Sequence, residues 1–288
     1  MPWAWKQVLA AGAVFLAAWS TLGIGARADV ARLNVVATTG MIADAARKVG
    51  GDLVEVRALM GAGVDPHAYR QTRTDIVALT KADLVLWHGL YLEAQMEEFM
   101  RKLARSRKVV AVAEALPKEL LRAHDTYTNK FDPHVWMDPD LWSRVVERVR
   151  DALVEALPAS RAAIENNARS HLEEIARLSR YSKAVLATVP PARRVLLTAH
   201  DAFNYFGRAY GFEVIGIQGI STESEAGLKR ISALVDLLVS RGIGAVFVET
   251  SVSDRNVRAL IEGAGAKGHK VAIGGELYSD AMGEPGTW

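Results

Sequence analysis

The chain has seven histidines, and two of them close the same tripeptide: Asp65-Pro66-His67 in GVDPHAYRQT and Asp132-Pro133-His134 in FDPHVWMDPD. Asp-Pro is a common turn opener, so the repeat could be two unrelated turns. A chemical reading is also available. Aspartate can cap a helix, proline suits the first helical position, and the histidine that follows then sits in the first turn. The positive end of the helix dipole there disfavours a protonated imidazole, and a neutral imidazole is the form that binds a divalent metal. Each tripeptide therefore reads as a helix entrance carrying a nitrogen ligand. Two more residues stand at comparable places, His200 directly after RRVLLTA and Asp280 a few residues beyond KVAIGG. Three imidazoles and one carboxylate would make a four-coordinate set suited to zinc and acceptable to manganese. A lone histidine after a strand is more often a packing or hydrogen-bonding residue, and the scattered spacing of these four leaves that alternative open.

The elements that must carry these residues alternate. RLNVVATT, LVEVRALM, DLVLWH and KVVAVAE read as strands, separated by helical GMIADAARKVGG, RQTRTDIVALTKA and YLEAQMEEFMRKLARS. Such alternation calls for a parallel sheet flanked by helices. DPDLWSRVVERVRDALVEAL is one helix with an apolar stripe, and after Pro158 a stretch free of glycine and proline runs to Val189. As a helix it would span about 45 Å and join two halves of the molecule. Alternation resumes with strands in RRVLLTAH, FEVIGIQG, GAVFVET and KVAIGG. The reading is two α/β lobes, each with a mainly parallel sheet flanked by helices, joined by one long bridging helix. The boundaries fall at 29–157, 158–189 and 190–288. Ligands of open parallel sheets bind at the carboxyl ends of the strands, where His67, His88, His200 and Asp280 all fall, so a site between the lobes is expected.

The first 28 residues stand apart. Lys6 precedes an apolar run that closes on Ala26-Arg27-Ala28, the pattern of a cleaved secretory signal. An uncleaved anchor is the alternative, since the run approaches spanning length. Removing Lys6 and Arg27 from the 35 basic residues leaves 33 against 33 acidic ones. That balance offers no electrostatic footprint for nucleic acid. The chain has no cysteine, so it can carry neither disulfides nor a lipid on a cysteine after the signal, and a free periplasmic location is expected.

MGAGVDPHAYRQT, FDPHVWMDPDLW, LLTAHDAFNYFGRAYGFEV, GISTESEAGLKRISALV and GGELYSDAMGEPGT occur in this order. Together they resemble the TroA-type metal-binding solute-binding proteins of bacterial zinc and manganese ABC importers, from about residue 33 to the end. The resemblance implies one divalent metal, Zn2+ or Mn2+, bound between the lobes as transported cargo by His67, His134, His200 and Asp280. It also implies delivery to an ABC importer permease by a protein expected to be monomeric and to catalyse nothing. Members close to manganese or iron transport often have glutamate where this chain has His200, which leans the expectation towards zinc. Many zinc-specific members carry a long histidine-rich loop before the second block, whereas here only His124 precedes His134. Relatives also continue past GEPGT into a final helix, so that helix is expected to be missing and the Asp280 loop to be less supported.

Among the remaining polar residues, His88 and Glu249 are candidates for orienting the ligands. His124 is expected in solvent, with His171 and His269 on the surface, and Asp65, Asp132 and Asp254 as helix caps. Two rival functions share the histidines. A secreted zinc-dependent hydrolase would use three histidines and a metal-bound water, yet neither His-Glu-x-x-His nor Gly-x-Ser-x-Gly occurs. A metal-stabilised adhesin would unfold when its metal is removed.

Overall fold

Strands whose residues are apolar on both faces must be covered on both sides, and the first half of the chain builds such a sheet. The computed structural model describes residues 31–284. The expected signal 1–28 and the tail 285–288 lie outside the described residues. β1 (Leu33–Ala37), β2 (Val54–Ala58), β3 (Leu84–Trp87) and β4 (Val109–Ala111) form one parallel sheet in the order β2-β1-β3-β4. All four residues of β3, Leu-Val-Leu-Trp, are buried. Alternate side chains go to opposite layers. Val35, Ala37, Leu84 and Leu86 pack with Ile42, Ala46 and Val49 of α1 (Gly40–Gly50). Val36, Val85 and Trp87 pack with Leu79 of α2 (Arg73–Lys81) and Met100 of α3 (Glu97–Leu103).

α3 is shorter than the expected helix from Tyr91. Leu90 and Tyr91 adopt left-handed backbone with φ of 52° and 71°, which a helix cannot contain. The turn wraps the buried Glu93, whose carboxylate accepts from Thr38 Oγ1 (2.6 Å), His88 N (2.8 Å) and Gly89 N (3.1 Å). Those three donors fix the segment in a form other than helix.

α4 (Pro139–Ala156) begins as its sequence suggests, with Asp138 capping the Asp140 amide at 3.0 Å and proline at the first position. Its stripe of Leu141, Val145, Val149, Ala152 and Leu153 is buried. α5 (Arg161–Leu186) is the long bridge, about 39 Å of helix at ~1.5 Å per residue. It lies against α1 and α4, where Ile164, Ala168 and Ile175 enter the first-lobe core. Arg194 terminates it, donating from Nε to Val189 O and from Nη2 to Ala187 O, the positive charge matching the negative end of the helix. Among the described residues no helix is long and apolar enough to cross a membrane.

The second lobe holds β5 (Val195–Thr198), α6 (Asn204–Tyr210), β6 (Glu213–Gly216), α7 (Leu228–Arg241), β7 (Ala245–Glu249), α8 (Arg255–Ala266) and β8 (Ala272–Leu277). Its strands form two parallel pairs, β5-β6 and β7-β8, with β5 beside β7. β7 and β8 slip register between Val246 and Phe247. Asp254 stands at the start of α8 without capping it, because its carboxylate takes the Arg258 guanidinium instead.

Candidate metal centre

The two Asp-Pro-His turns do not start α-helices. Asp65 Oδ1 accepts from the His67 amide at 2.9 Å, and Asp132 Oδ1 from the His134 amide at 3.0 Å. Each aspartate thus closes a turn on the residue two ahead, as aspartate does in Asx turns. After the first, α2 waits until Arg73, where Thr72 and Asp75 form their own capping box. After the second, only a 3-10 turn, Val135–Met137, follows before α4. The expected caps are therefore absent, and so is the dipole that was to keep both imidazoles neutral.

The turns nevertheless deliver their histidines to one place. His67, His134, His200 and Asp280 offer ligand atoms that all lie within 4.8 Å of one another. The four residues are 1%, 0%, 0% and 1% exposed. His67 Nε2 and His134 Nε2 are 3.3 Å apart, His134 Nε2 and Asp280 Oδ1 3.3 Å, and His200 Nε2 and Asp280 Oδ2 3.1 Å. Donors at the corners of a tetrahedron with bonds of ~2.0 Å stand roughly 3.3 Å apart. His200 Nε2 and both Asp280 oxygens are buried without a hydrogen bond aligned to them, although their ion-pair distances are short. Buried polar atoms are normally satisfied, and a cation among these four would satisfy them.

The back of each imidazole is held differently. His134 Nδ1 donates to Asp132 Oδ1 at 2.7 Å, and His200 Nδ1 donates to Glu249 Oε2 at 2.5 Å. Glu249 Oε1 also accepts from the His200 amide at 2.9 Å. A carboxylate behind Nδ1 fixes the tautomer and turns Nε2 towards the centre. A Cβ at Gly216 would lie 2.6 Å from Asp201 N, so glycine at the end of β6 lets the chain behind His200 pass closely.

Charge divides the set. Burial pushes the His67 imidazole down to about 3, against the pull of Asp280. Burial also lowers His134, but Asp132 and then Asp280 outweigh it and raise the group to about 9. His200 is treated likewise, with Asp280 and Glu249 carrying it well above the usual imidazole value despite burial. Asp280, against its own desolvation, is held well below the carboxylate range by His200 and His134.

The Asp280 loop is supported from both lobes. Trp136 Nε1 donates to Ser279 O at 2.7 Å, and the hydroxyls of Ser251 and Ser279 are 2.9 Å apart. Tyr205 of α6 enters the first-lobe core, donating to Asp132 O (2.9 Å) and accepting from Arg122 N (3.0 Å). Asn204 Nδ2 donates to Asp132 Oδ2 at 3.2 Å. Trp136, Asn204 and Tyr205 were not singled out from sequence. All three sit inside the quoted second and third blocks, where an indole, an amide and a phenol beside candidate ligands are the available signal.

His88 lies outside the four. Its ring is buried and Nε2 donates to Pro133 O at 2.7 Å, steadying the turn that carries His134. Burial lowers it to about 3. His124 is not in solvent: its side chain is 2% exposed and Nδ1 accepts from the amides of Thr126 and Tyr127. It closes its own loop, which an Ala123–Phe131 bridge pinches off. His171 faces Glu174 on α5, and His269 donates to Ile243 O. Four protein donors fill a tetrahedral set, whereas catalytic zinc sites keep one position open.

Comparison with known proteins finds relatives named for metal binding. The chain is 46% identical over 287 residues to the manganese-binding lipoprotein MntA of Bacillus subtilis (strain 168), covering 98% of this chain and 93% of that one. It is 45% identical to the zinc-binding protein TroA of Treponema pallidum (strain Nichols), over 88% of this chain and 82% of that one. The solved structure of periplasmic zinc-binding TroA from Treponema pallidum matches with a TM-score of 0.87 at 44% identity, covering 89% of this chain and 92% of that one. A family profile described as ZnuA, zinc-uptake complex component A, periplasmic, matches residues 35–288. With that match and that fold, the chain belongs to the ZnuA family.

Proposed function

We propose that the protein captures one divalent metal ion, zinc or manganese, through His67, His134, His200 and Asp280, and delivers it to the membrane permease of an ABC importer. One observation carries the reading: four buried ligand side chains, two from each lobe, converge within 4.8 Å. Three nitrogens and one carboxylate lean towards zinc. Relatives of nearly equal likeness are named for manganese and for zinc, so likeness does not choose between them. Asp132 and Glu249 complete the ligands from behind, and His88 steadies one turn. The lobes are taken as 29–157 and 190–288 around the bridge 158–189. The protein works in the periplasm as a monomer after loss of residues 1–28. MntA is named a lipoprotein, but these 288 residues contain no cysteine to carry a lipid.

A hydrolase is disfavoured by the same geometry. Glu249, a candidate base, is engaged with His200, and four protein donors leave no ligand position for water. The test is native mass spectrometry of purified protein titrated with zinc and manganese in competition. One tightly bound ion per chain, lost in His67→Ala and His200→Ala, is the expected result. No bound ion, or a metal-dependent hydrolytic activity, would overturn the proposal. Unfolding on metal removal would favour the adhesin instead.

A further inference from the structure

Each Asp-Pro-His aspartate reaches across to the second lobe with its other oxygen. Asp132 Oδ2 takes Asn204 Nδ2, and Asp65 Oδ2 takes Thr222 Oγ1 at 2.6 Å. The two crossings rest on different supports. Beside Asn204, Tyr205 is wholly buried in the first-lobe core. Beside Thr222, the contacts are polar and exposed. Glu223 accepts from Gln95 Nε2 and, at 3.2 Å, from Tyr127 Oη, so three first-lobe segments converge on two consecutive second-lobe residues. These residues lie in a loop, between β6 and α7, where Thr222 is half-buried and Glu223 exposed. Apolar burial holds the Asn204 side, whereas the contacts named on the Thr222 side are hydrogen bonds, the one to Asp65 half-buried and the two to Glu223 exposed. Exposed polar contacts open at lower free-energy cost than buried apolar ones.

Resting on the metal-binding reading above, we propose that Thr222 is a positioning residue that clasps the His67 turn to the second lobe and sets the rate at which the metal leaves. The carboxylate of Asp65 joins the two events: one oxygen orders the His67 backbone and the other holds the second-lobe loop. When the clasp opens, the His67 turn loses its cross-lobe restraint while His134, His200 and their carboxylates stay in place. The first ligand to part is then His67, and release proceeds on that side.

The test is release of zinc from the loaded protein into excess chromophoric chelator, followed by stopped flow. Thr222→Val removes the hydroxyl at similar volume, and Thr222→Ser keeps it. Thr222→Val should release zinc roughly tenfold faster, the scale of one hydrogen bond to a carboxylate. It should still bind one ion and melt, stripped of metal, within a few degrees of the wild type. Thr222→Ser should release at the wild-type rate, which a merely space-filling role for the threonine methyl would not give. Should Thr222→Val not fold, Thr222→Ala carries the same comparison. An unchanged rate in the hydroxyl-lacking variant, or equal acceleration in Thr222→Ser, overturns the clasp and leaves the metal site standing. Wild-type protein that binds no zinc or manganese overturns the site itself, and the clasp with it.

Discussion

At the first Asp-Pro-His turn, Asp65 meets His67 only through the backbone amide, and the imidazole is pushed down to about 3 by burial. At the second, Asp132 takes both the amide and the Nδ1 proton of His134, and the imidazole is raised to about 9. The tripeptide is the same and the burial is the same. The main difference is whether the carboxylate reaches the ring, which raises the imidazole of one candidate ligand and leaves the other lowered. A repeated motif can therefore fix the position of a candidate ligand twice while setting its charge in opposite ways.

The sharpest way to break this comparison is to remove the charge from each aspartate in turn. Asp132→Asn should weaken zinc binding by about 10–100-fold, the usual cost of losing a carboxylate behind a ligating histidine. Asp65→Asn should cost at most about tenfold, since it orders only a backbone and a cross-lobe hydroxyl. Equal losses, measured by competition with a chelator of known affinity, would mean that the ring contact is irrelevant.

Proton release gives the next largest effect. His134 and His200 carry protons near neutral pH and His67 does not, so a metal entering at pH 7 should displace about two protons. Calorimetry in buffers of different ionisation enthalpy reads that number directly. Affinity should accordingly rise with pH through the neutral range, and Asp132→Asn should reduce the release by about one proton. Release near zero in the wild type would contradict the assignment.

A smaller effect belongs to folding. His67 and His88 are held at about 3, below the ~6.5 of an unfolded imidazole. The unfolded chain then binds protons that the folded chain does not, so stability present above pH ~6.5 is lost as pH falls towards 3. His134, raised to about 9, has the opposite sign: its contribution is full below pH ~6.5 and is lost as pH rises through 9. Urea unfolding of metal-stripped protein should show decline on both sides of neutrality, and Asp132→Asn should reduce the alkaline one, with His200 supplying the remainder. An alkaline decline unchanged in Asp132→Asn would separate His134 from it.

Much of this was legible in the sequence. The strand and helix alternation, the Asp138-Pro139 start of α4 and the long bridge are local patterns, and local patterns survive into the fold. The four candidate ligands were found because they follow strands or recur in a motif. The turns depart from the helix-entrance expectation: Thr72 and Asp75 form a capping box in RQTRTD that starts α2 well after His67, so Asp65 closes a turn instead of a helix. His124 departs from its expected place in solvent because nothing in RAHDTYT announces that its ring folds back onto its own loop. The contacts that join the lobes were invisible for a deeper reason. Trp136 with Ser279 and Thr222 with Asp65 pair residues more than a hundred positions apart, and no periodicity encodes such a pairing.

The central claim is that one metal sits between the lobes on ligands from both. Anomalous diffraction from crystals grown with zinc tests it most directly. The expected result is a single peak with the Nε2 atoms of His67, His134 and His200 at ~2.0–2.1 Å and an Asp280 oxygen at ~2.0–2.2 Å. A peak elsewhere, or one bound by residues of a single lobe, would contradict it.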